Sequence, residues 1–513
     1  MKKRLFKSTL VTSLMTTISR VFGLVRDVVI ASLFGASAGL DAFIVAFRIP
    51  NFLRRLFAEG GFSQAFVPVL AEYRENRDIK EVRALVDQTT ATLGLVLFFI
   101  TLVGVAAAPV FIYIFAPGFS AEPQKQLLAG DMLRITFPYI FFISLTALAG
   151  GILNTFGKFA VPAFTPVLLN LCIISFAIYL SPQLEEPVTA LAWAVLAAGA
   201  LQLLFQFPFL LRLGVFPRPG FHRDREGVQR IMRLMLPTLF AVSITQINLL
   251  IDTLIASYLE SGSISWLYFS DRLMEFPLGV FGVALATVIL PSLSRQYAGG
   301  DSQAYSATMD WALRLVVLIA LPAATGLAMM AAPMLTTLFQ YKAFSANDVV
   351  MASHSLVAYA LGLPAFIFIK VLASAFFSRQ DTKSPVKFGV IAMVVNVVLN
   401  LVLVQFLAHA GLALATSIAA YVNASLLYLY LRKEGHYAPG EGWPVFFFRV
   451  IVAVIAMGVF IVLLVPAQGL WLDWTALQRG LQLALWVLGG AMLYFASLVI
   501  CGIRPRQMTA PIH

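Results

Sequence analysis

Apolar runs of about 20 residues, separated by short polar turns, fill the chain from end to end, and each matches the length an α-helix needs to cross the hydrocarbon core of a bilayer. Their approximate limits are 11–34, 40–58, 90–116, 131–152, 162–181, 187–211, 234–259, 265–291, 311–339, 350–377, 386–408, 411–432, 444–467 and 480–502, roughly fourteen spans in all. The turns between them leave no room for a soluble catalytic domain. The pattern predicts an all-α polytopic membrane protein.

Composition narrows this further. The chain is 60% hydrophobic and 12% charged with a mean hydropathy of +0.87, a balance no soluble domain approaches. Met1 to Lys7 is basic, but the apolar run that follows carries Arg20 and Arg26 and no small-residue cleavage site, so this run is expected to stay in the mature protein. Cys172 and Cys501 fall in different spans, and the five histidines lack ligand spacing, so neither a disulfide nor a metal centre is expected.

The formal charge of +11 raises the question of nucleic acid, and the placement of the charges answers it. With the N-terminus inside, Lys and Arg crowd the tails and loops of the inner side, and only Lys125, Arg134, Lys342 and Arg479 fall outside. That asymmetry is the positive-inside rule, which predicts both termini in the cytoplasm and no nucleic-acid partner. No enzyme motif is present either. Gly151 to Lys158, G-I-L-N-T-F-G-K, has the wrong glycine spacing for a phosphate loop and Phe159 where Ser or Thr is needed.

The two halves repeat at an offset of about 224 residues. Asp27-x-x-Ile-Ala-Ser32 returns as Asp252-x-x-Ile-Ala-Ser257, Ala107-Ala-Pro109 as Ala331-Ala-Pro333, Phe115 as Phe339, and Pro162 as Pro385. An even number of spans per period inserts both copies the same way up, with a pseudo-two-fold axis along the membrane normal and a substrate site between them. The expected organisation is an N-lobe over 1–211, a basic inter-lobe linker over 212–233, a C-lobe over 234–432 and a C-terminal helix pair over 433–513.

Charge inside apolar helices is costly, about 2.5 to 3.5 kcal/mol at mid-bilayer on insertion scales, so such residues line water or pair with one another. In the first span Arg20 and Asp27 share a face with Arg26 beside it; in the second, Asp41, Arg48 and Arg55 recur every seven residues, with Arg54 and Glu59 close by. Pro50 within this stripe predicts a kink. The matching spans of the second half carry Asp252, Asp271, Arg272 and Glu275. Two readings remain for each: ion pairs that hold helices together, or contacts to substrate. Five arginines against Asp27, Asp41 and Glu59 leave a cationic surplus in the first half, and the planar guanidinium fork suits phosphate or pyrophosphate. Lys370 is isolated and reads as paired or snorkelling. Asp252, Asn396, Asn400 and Thr416 offer oxygens to a small hard cation such as Na+, against the plainer reading of polar groups bridging helices.

The segments S-R-V-F-G-L-V-R-D, P-N-F-L-R-R-L-F-A-E-G-G-F-S-Q-A-F-V-P-V-L-A-E-Y, S-W-L-Y-F-S-D-R-L-M-E-F-P and F-F-S-R-Q-D-T-K-S-P-V-K closely resemble the lipid II flippase MurJ (MviN) family of the multidrug/oligosaccharidyl-lipid/polysaccharide exporter superfamily. The resemblance covers essentially the whole chain. It implies two six-helix lobes around a cationic cavity, a last helix pair forming a groove for a polyprenyl tail, and translocation of the undecaprenyl-pyrophosphate-linked peptidoglycan precursor across the bacterial inner membrane. It also places the cavity residues at Ser19, Arg20, Arg26, Asp41, Arg54, Arg55, Glu59, Ser265 and Arg272. No cofactor is implied beyond Na+ or H+ as coupling ion, and a monomer in contact with membrane lipids is expected. The rivals are an O-antigen-type polyprenyl-pyrophosphate flippase and a non-transporting scaffold for cell-wall synthesis.

Overall fold

The computed structural model describes residues 2–56, 62–218, 220 and 226–503, with side chains placed outside 2–12 and 236–245. Among the described residues it is helical throughout, with no strand. The first half contains α1 (Lys2–Phe34), α2 (Ala38–Arg54), α3 (Phe62–Asn76), α4 (Ile79–Ala106), α5 (Ala108–Phe115), α6 (Pro123–Thr136), α7 (Tyr139–Thr155), α8 (Ala160–Tyr179) and α9 (Thr189–Leu213). The second half contains α10 (Glu226–Ala256), α11 (Ser263–Pro277), α12 (Val283–Ala298), α13 (Ser302–Met329), α14 (Ala331–Phe339), α15 (Ala346–Phe377) and α16 (Lys383–Lys433). The C-terminal helices are α17 (Trp443–Leu464), α18 (Gln468–Asp473) and α19 (Ala476–Ile500).

Element boundaries reproduce the repeat read from the sequence. Shifted by about 224 residues, α1 to α5 fall on α10 to α14, the α6–α7 pair falls on α15, and the α8–α9 pair on α16. Even the caps return: Asp78 caps α4 through the Ile79 amide, and Asp301 caps α13 through that of Ala304.

The run Lys383–Lys433 is a hairpin rather than one rod. Ala408 has φ 46° and ψ −129°, a conformation that breaks the helical path. Asn396 donates to Thr416 Oγ1 at 3.2 Å, whereas twenty residues of straight helix would hold these positions about 30 Å apart. A Cβ on Gly411 would lie 2.5 Å from the Leu403 carbonyl oxygen, so only glycine permits so close a return.

Ten helical stretches among the described residues are long and apolar enough to cross a membrane. The hairpin accounts for two passes within one of these. The fourteen-span expectation also needs α1, α2 and α10, which carry most of the intramembrane charge of the repeat and fall outside the ten.

The chain divides into two compact units after Gly262, so α10 clusters with the first-half helices. In the first unit Phe66, Leu70, Tyr73, Val86, Ile152, Leu153 and Leu210 pack around α3, α4, α7 and α9. In the second, Val317, Met330, Val450, Met457, Tyr494 and Leu498 join α13 to the C-terminal helices. Leu463, Leu464, Leu481 and Ile500 of that pair are exposed, as lipid-facing positions are.

Prolines inside these helices create docking points. A proline lacks the N–H that would bond the carbonyl four residues earlier. Pro50 thereby frees Ala46, whose oxygen accepts from Thr136 on α6 at 3.3 Å. Pro166 frees Pro162, satisfied by Thr165 at 2.8 Å. Pro322 frees Leu318, whose oxygen accepts from the buried Tyr494 hydroxyl at 2.8 Å and so anchors α19 on α13.

The α19 anchor makes a double-mutant prediction. Tyr494→Phe strands the Leu318 carbonyl and should cost about 1–3 kcal/mol, read as a lower unfolding temperature in detergent. In a Pro322→Ala background the helix supplies its own N–H, so the same substitution should cost clearly less; equal losses in both backgrounds refute the assignment.

Candidate functional site

The charged stripe of α2 lies along α10. Arg48 donates through Nη1 to Thr253 Oγ1, and Arg55 Nη1 donates to Gln246 Oε1 at 3.3 Å. Asp41 Oδ2 accepts from the Gly262 amide at 2.7 Å, in the turn that follows α10. As the α2 number rises the partner's number falls, so the helices run antiparallel, and the seven-residue step from Arg48 to Arg55 meets the seven-residue step from Gln246 to Thr253. Equal steps on both partners keep each guanidinium opposite a polar side chain instead of an apolar one.

Asp41 is almost fully buried, at 1% exposure, and has a second partner. Lys125 of α6, at 5% exposure, extends its Nζ to 3.3 Å from Asp41 Oδ2 and 2.8 Å from Ser261 Oγ, 4.4 Å above the Phe119 ring. Glu122 lies 3.8 Å from the same ammonium and accepts from Ser261 at 3.0 Å. The carboxylate and the ammonium are desolvated together, and the extra hydrogen bonds offset that cost.

On α1 the pairing differs from the Arg20–Asp27 face suggested by spacing. Asp27 Oδ1 accepts from Arg26 Nε at 2.9 Å and Nη2 at 2.7 Å, and Arg26 Nη1 reaches Asn170 Oδ1 on α8 at 3.0 Å. Asn170 Nδ2 donates in turn to the Ser19 carbonyl at 3.1 Å. Arg20 is exposed and makes no hydrogen bond or ion pair among the described residues. Arg54 Nε donates to Asn51 Oδ1 at 2.9 Å, within α2. Glu59 lies outside the described residues.

In the second unit Arg272 donates to Glu275 at 2.8 Å and rests its guanidinium 4.9 Å from the Tyr268 ring centre. Asp271 is half-buried beside them on α11, and Ser265 is fully buried near that helix's start. Of the proposed cation ligands, Asn396, Asn400 and Thr416 come together: Asn400 donates to Asn396 Oδ1 at 2.9 Å, and Thr416 passes its hydroxyl proton to Leu412 O at 3.0 Å. As placed, Asn396 Oδ1 and Thr416 Oγ1 already accept hydrogen bonds within this group. Asp252 belongs to α10 and so to the first unit.

Sequence reasoning missed Lys125, Asn170, Gln246 and Thr253. Lys125 was counted only as an external loop cation. Gln246 and Thr253 did carry a signal, since their spacing equals that of the arginines they meet.

The opposite end of α10 is tied in water. Arg230 pairs with Glu72 of α3 through both guanidinium branches, at 2.9 and 2.8 Å, and these hydrogen bonds hold the Glu72 carboxyl below its usual range. A depressed carboxylate contributes above its unfolded pKa and loses that contribution as pH falls through the folded one. Both side chains are about half exposed, so the tie is weak.

Comparison with known proteins fits this arrangement. The family model for lipid II flippase MurJ matches residues 30–478. The chain is 48% identical to a probable lipid II flippase MurJ of Vibrio cholerae, with 99% of this chain and 98% of that protein covered. The chain belongs to the MurJ lipid II flippase family. It is also 44% identical to the lipid II flippase MurJ of Burkholderia cenocepacia, over 98% of each chain. A solved MurJ structure in an inward closed conformation superposes with a TM-score of 0.79 at 26% identity, covering 96% of this chain and all of that one. An inward-facing MATE family transporter of the MOP superfamily, at 18% identity and a TM-score of 0.71 over 83% of this chain, shares the fold. The chain is therefore a multi-pass membrane protein of a transporter family; the family match contains the α2 and α10 charges, and those of α1 lie just before it.

The α1–α8 link can be tested alone. Asn170→Leu removes one of Arg26's acceptors and should lower stability by about 1–3 kcal/mol, measured as an unfolding shift in detergent. Asn170→Asp, which keeps an acceptor, should be milder; the reverse order would mean that Asn170 acts through packing.

Proposed function

We propose that this protein moves lipid II, a polyprenyl-pyrophosphate-linked glycopeptide, from the inner to the outer leaflet of the bacterial inner membrane by alternating access. Full-length membership in the MurJ family is the observation that carries this reading. The cationic surplus of α1 and α2 supports it independently, because a pyrophosphate is the ligand such a surface favours.

Neutral oxygens are among the partners of three of these arginines. Arg48, Arg54 and Arg55 each donate to a neutral oxygen, of Thr253, Asn51 and Gln246 respectively. A phosphate oxygen is a stronger acceptor than an amide or hydroxyl, so substrate can displace these bonds with net gain. Arg20, exposed on α1, is placed to make the first contact. The reading further assigns to the headgroup Ser19, Arg26, Asp41 and Glu59 from the first half of the sequence and Ser265, Asp271, Arg272 and Glu275 from the second.

In this reading the termini are cytoplasmic, the chain works as a monomer, and it performs no covalent chemistry. The lipid tail stays in the bilayer throughout. Each charge crossing 100 mV is worth about 2.3 kcal/mol, so an inside-negative potential drives an anionic headgroup outward without ATP. Na+ held by Asp252, Asn396, Asn400 and Thr416, or a proton, would add a second driving force.

Purified protein in liposomes should transfer labelled lipid II between leaflets. Arg20→Ala, Arg26→Ala, Arg55→Ala and Arg272→Ala should each lower the rate about tenfold or more, by the 1.5–3 kcal/mol of a charged hydrogen bond, while still inserting. Full activity in all four assigns these charges to structure. Imposing an inside-negative potential should speed transfer, and collapsing it with an ionophore should remove the gain; a rate indifferent to potential removes this energy source.

A further inference from the structure

Helix α11 carries Asp271, Arg272 and Glu275, and its rotation about its own axis decides where they point. Its buried residues Phe269, Ser270, Leu273, Met274 and Pro277 fall within about 80° of Trp266 around the helix, at about 100° per residue. Tyr268, Asp271, Arg272 and Glu275, all partly or fully exposed, lie within about 60° of the point opposite Trp266. Their contacts agree, since Arg272 donates to Glu275 at 2.8 Å and rests against the Tyr268 ring. The buried face and the charged face stand back to back.

Polar ties fix the buried face at two levels. Trp266 Nε1 donates to Asp348 Oδ1 at 2.8 Å, and one turn on, the Ser270 hydroxyl lies 2.6 Å from the Ala352 carbonyl oxygen. A step of four on α11 meets a step of four on α15, so both ties form at the same rotational setting. Asp348 is itself held: its Oδ2 accepts from the Ser345 amide at 2.8 Å and from the Ser345 hydroxyl at 2.9 Å, leaving Oδ1 for the indole. The His409 ring of α16 packs against that indole, 5.0 Å away between centres, and shares a hydrogen bond with Ser355 at 2.7 Å. The first half places a bonded pair at the same helix positions. Asp41 is fourth in α2 as Trp266 is in α11, and Lys125 is third in α6 as Asp348 is in α15. The residues differ, yet the tie is kept.

We propose that Trp266 is a positioning residue for the charged face of α11: tied to Asp348 and backed by His409, it sets the rotation of the helix and so aims Arg272. The proposal rests on the assignment of Arg272 to the headgroup. A turn of about 20° moves a group at the helix surface, about 5–6 Å from the axis, by roughly 2 Å. That exceeds the range over which a hydrogen bond to a bound anion survives. An indole buried in the bundle needs a partner for its N–H, which makes it a sensitive anchor.

The test compares two faces of one helix in full-length protein carrying Cys172→Ala and Cys501→Ala. Met274→Cys probes the buried face, where the residue is 5% exposed, and Glu275→Cys probes the charged face. A small maleimide should label the second at least about tenfold faster. Trp266→Phe, which keeps a ring and removes the N–H, combined with Ser270→Ala should shrink that ratio about fivefold or more, while Met457→Cys in the core of the C-terminal helices stays slow. A ratio that does not change overturns the proposal, and so does a matching rise at Met457→Cys, which marks general loosening. Lipid II transfer is measured in liposomes on protein with its own cysteines, carrying Trp266→Phe or Ser270→Ala alone. Trp266→Phe should lower the rate about fivefold, with Ser270→Ala milder; an undiminished rate in Trp266→Phe overturns the role given to Trp266. Unaltered protein that moves no lipid II while the labelling ratio still responds refutes the flippase reading and leaves the setting of α11 intact. Transfer with an indifferent ratio does the reverse.

Discussion

A charge in a medium too apolar to solvate it must find a partner of its own, and the architecture of the first unit follows from that constraint. Asp41, Arg48 and Arg55 stand at seven-residue intervals on α2, so they present one face, and whatever packs there must answer each in turn. The answer is α10, running antiparallel with Gln246 and Thr253 at the same interval and the Gly262 amide beyond its end. Helix packing here is set by polar register. The apolar residues around it, Ile44, Val45 and Ile49 on α2, fill space without fixing which turn meets which.

The same constraint governs backbone groups. Prolines in α2, α8 and α13 free carbonyls that lipid cannot satisfy, and the chain supplies Thr136, Thr165 and Tyr494 in reply. Two of these hydroxyls come from other helices, so a local defect becomes a tertiary bond. The C-terminal pair is held to α13 by more than one such device. Asp310 accepts from Tyr437, Gly440 and Trp443 at 2.7–3.0 Å and from Arg314, while Arg479 donates to the Thr336 and Gln340 carbonyls that end α14. Anchored at both ends and midway, the pair is built to follow α13 as α13 moves.

Much of this was legible in the sequence, for physical reasons that can be named. Span length and the short turns follow from bilayer thickness, so the all-helical character was readable from hydropathy alone. The duplication was readable because prolines and aspartates at matched positions survive as caps and kinks, and Asp78 and Asp301 do cap equivalent helices. The two passes of Lys383–Lys433 were separable because His409 and Gly411 interrupt the apolar run where the chain must reverse. Pairing was harder. Arg20 and Asp27 share a face, yet Asp27 bonds Arg26, its neighbour, since the long arginine side chain bends back and Asn170 receives its other branch. Spacing along one helix says which groups can meet; it does not say what a distant helix brings.

Lys125 shows why. In sequence it is a single cation in an external loop, flanked by Gln124 and Gln126, and topology rules sort such a residue by counting alone. Its burial depends on three separate returns of the chain: the turn at Pro117–Ala121 that puts Phe119 beneath it, the end of α10 that brings Ser261 and Gly262, and the start of α2 that brings Asp41. None of these is local to α6. A membrane protein can bury an ammonium so completely only where several elements converge and each contributes one acceptor or π-face, and convergence of that kind is a property of the assembled unit. Such a point is also where motion is most costly to begin.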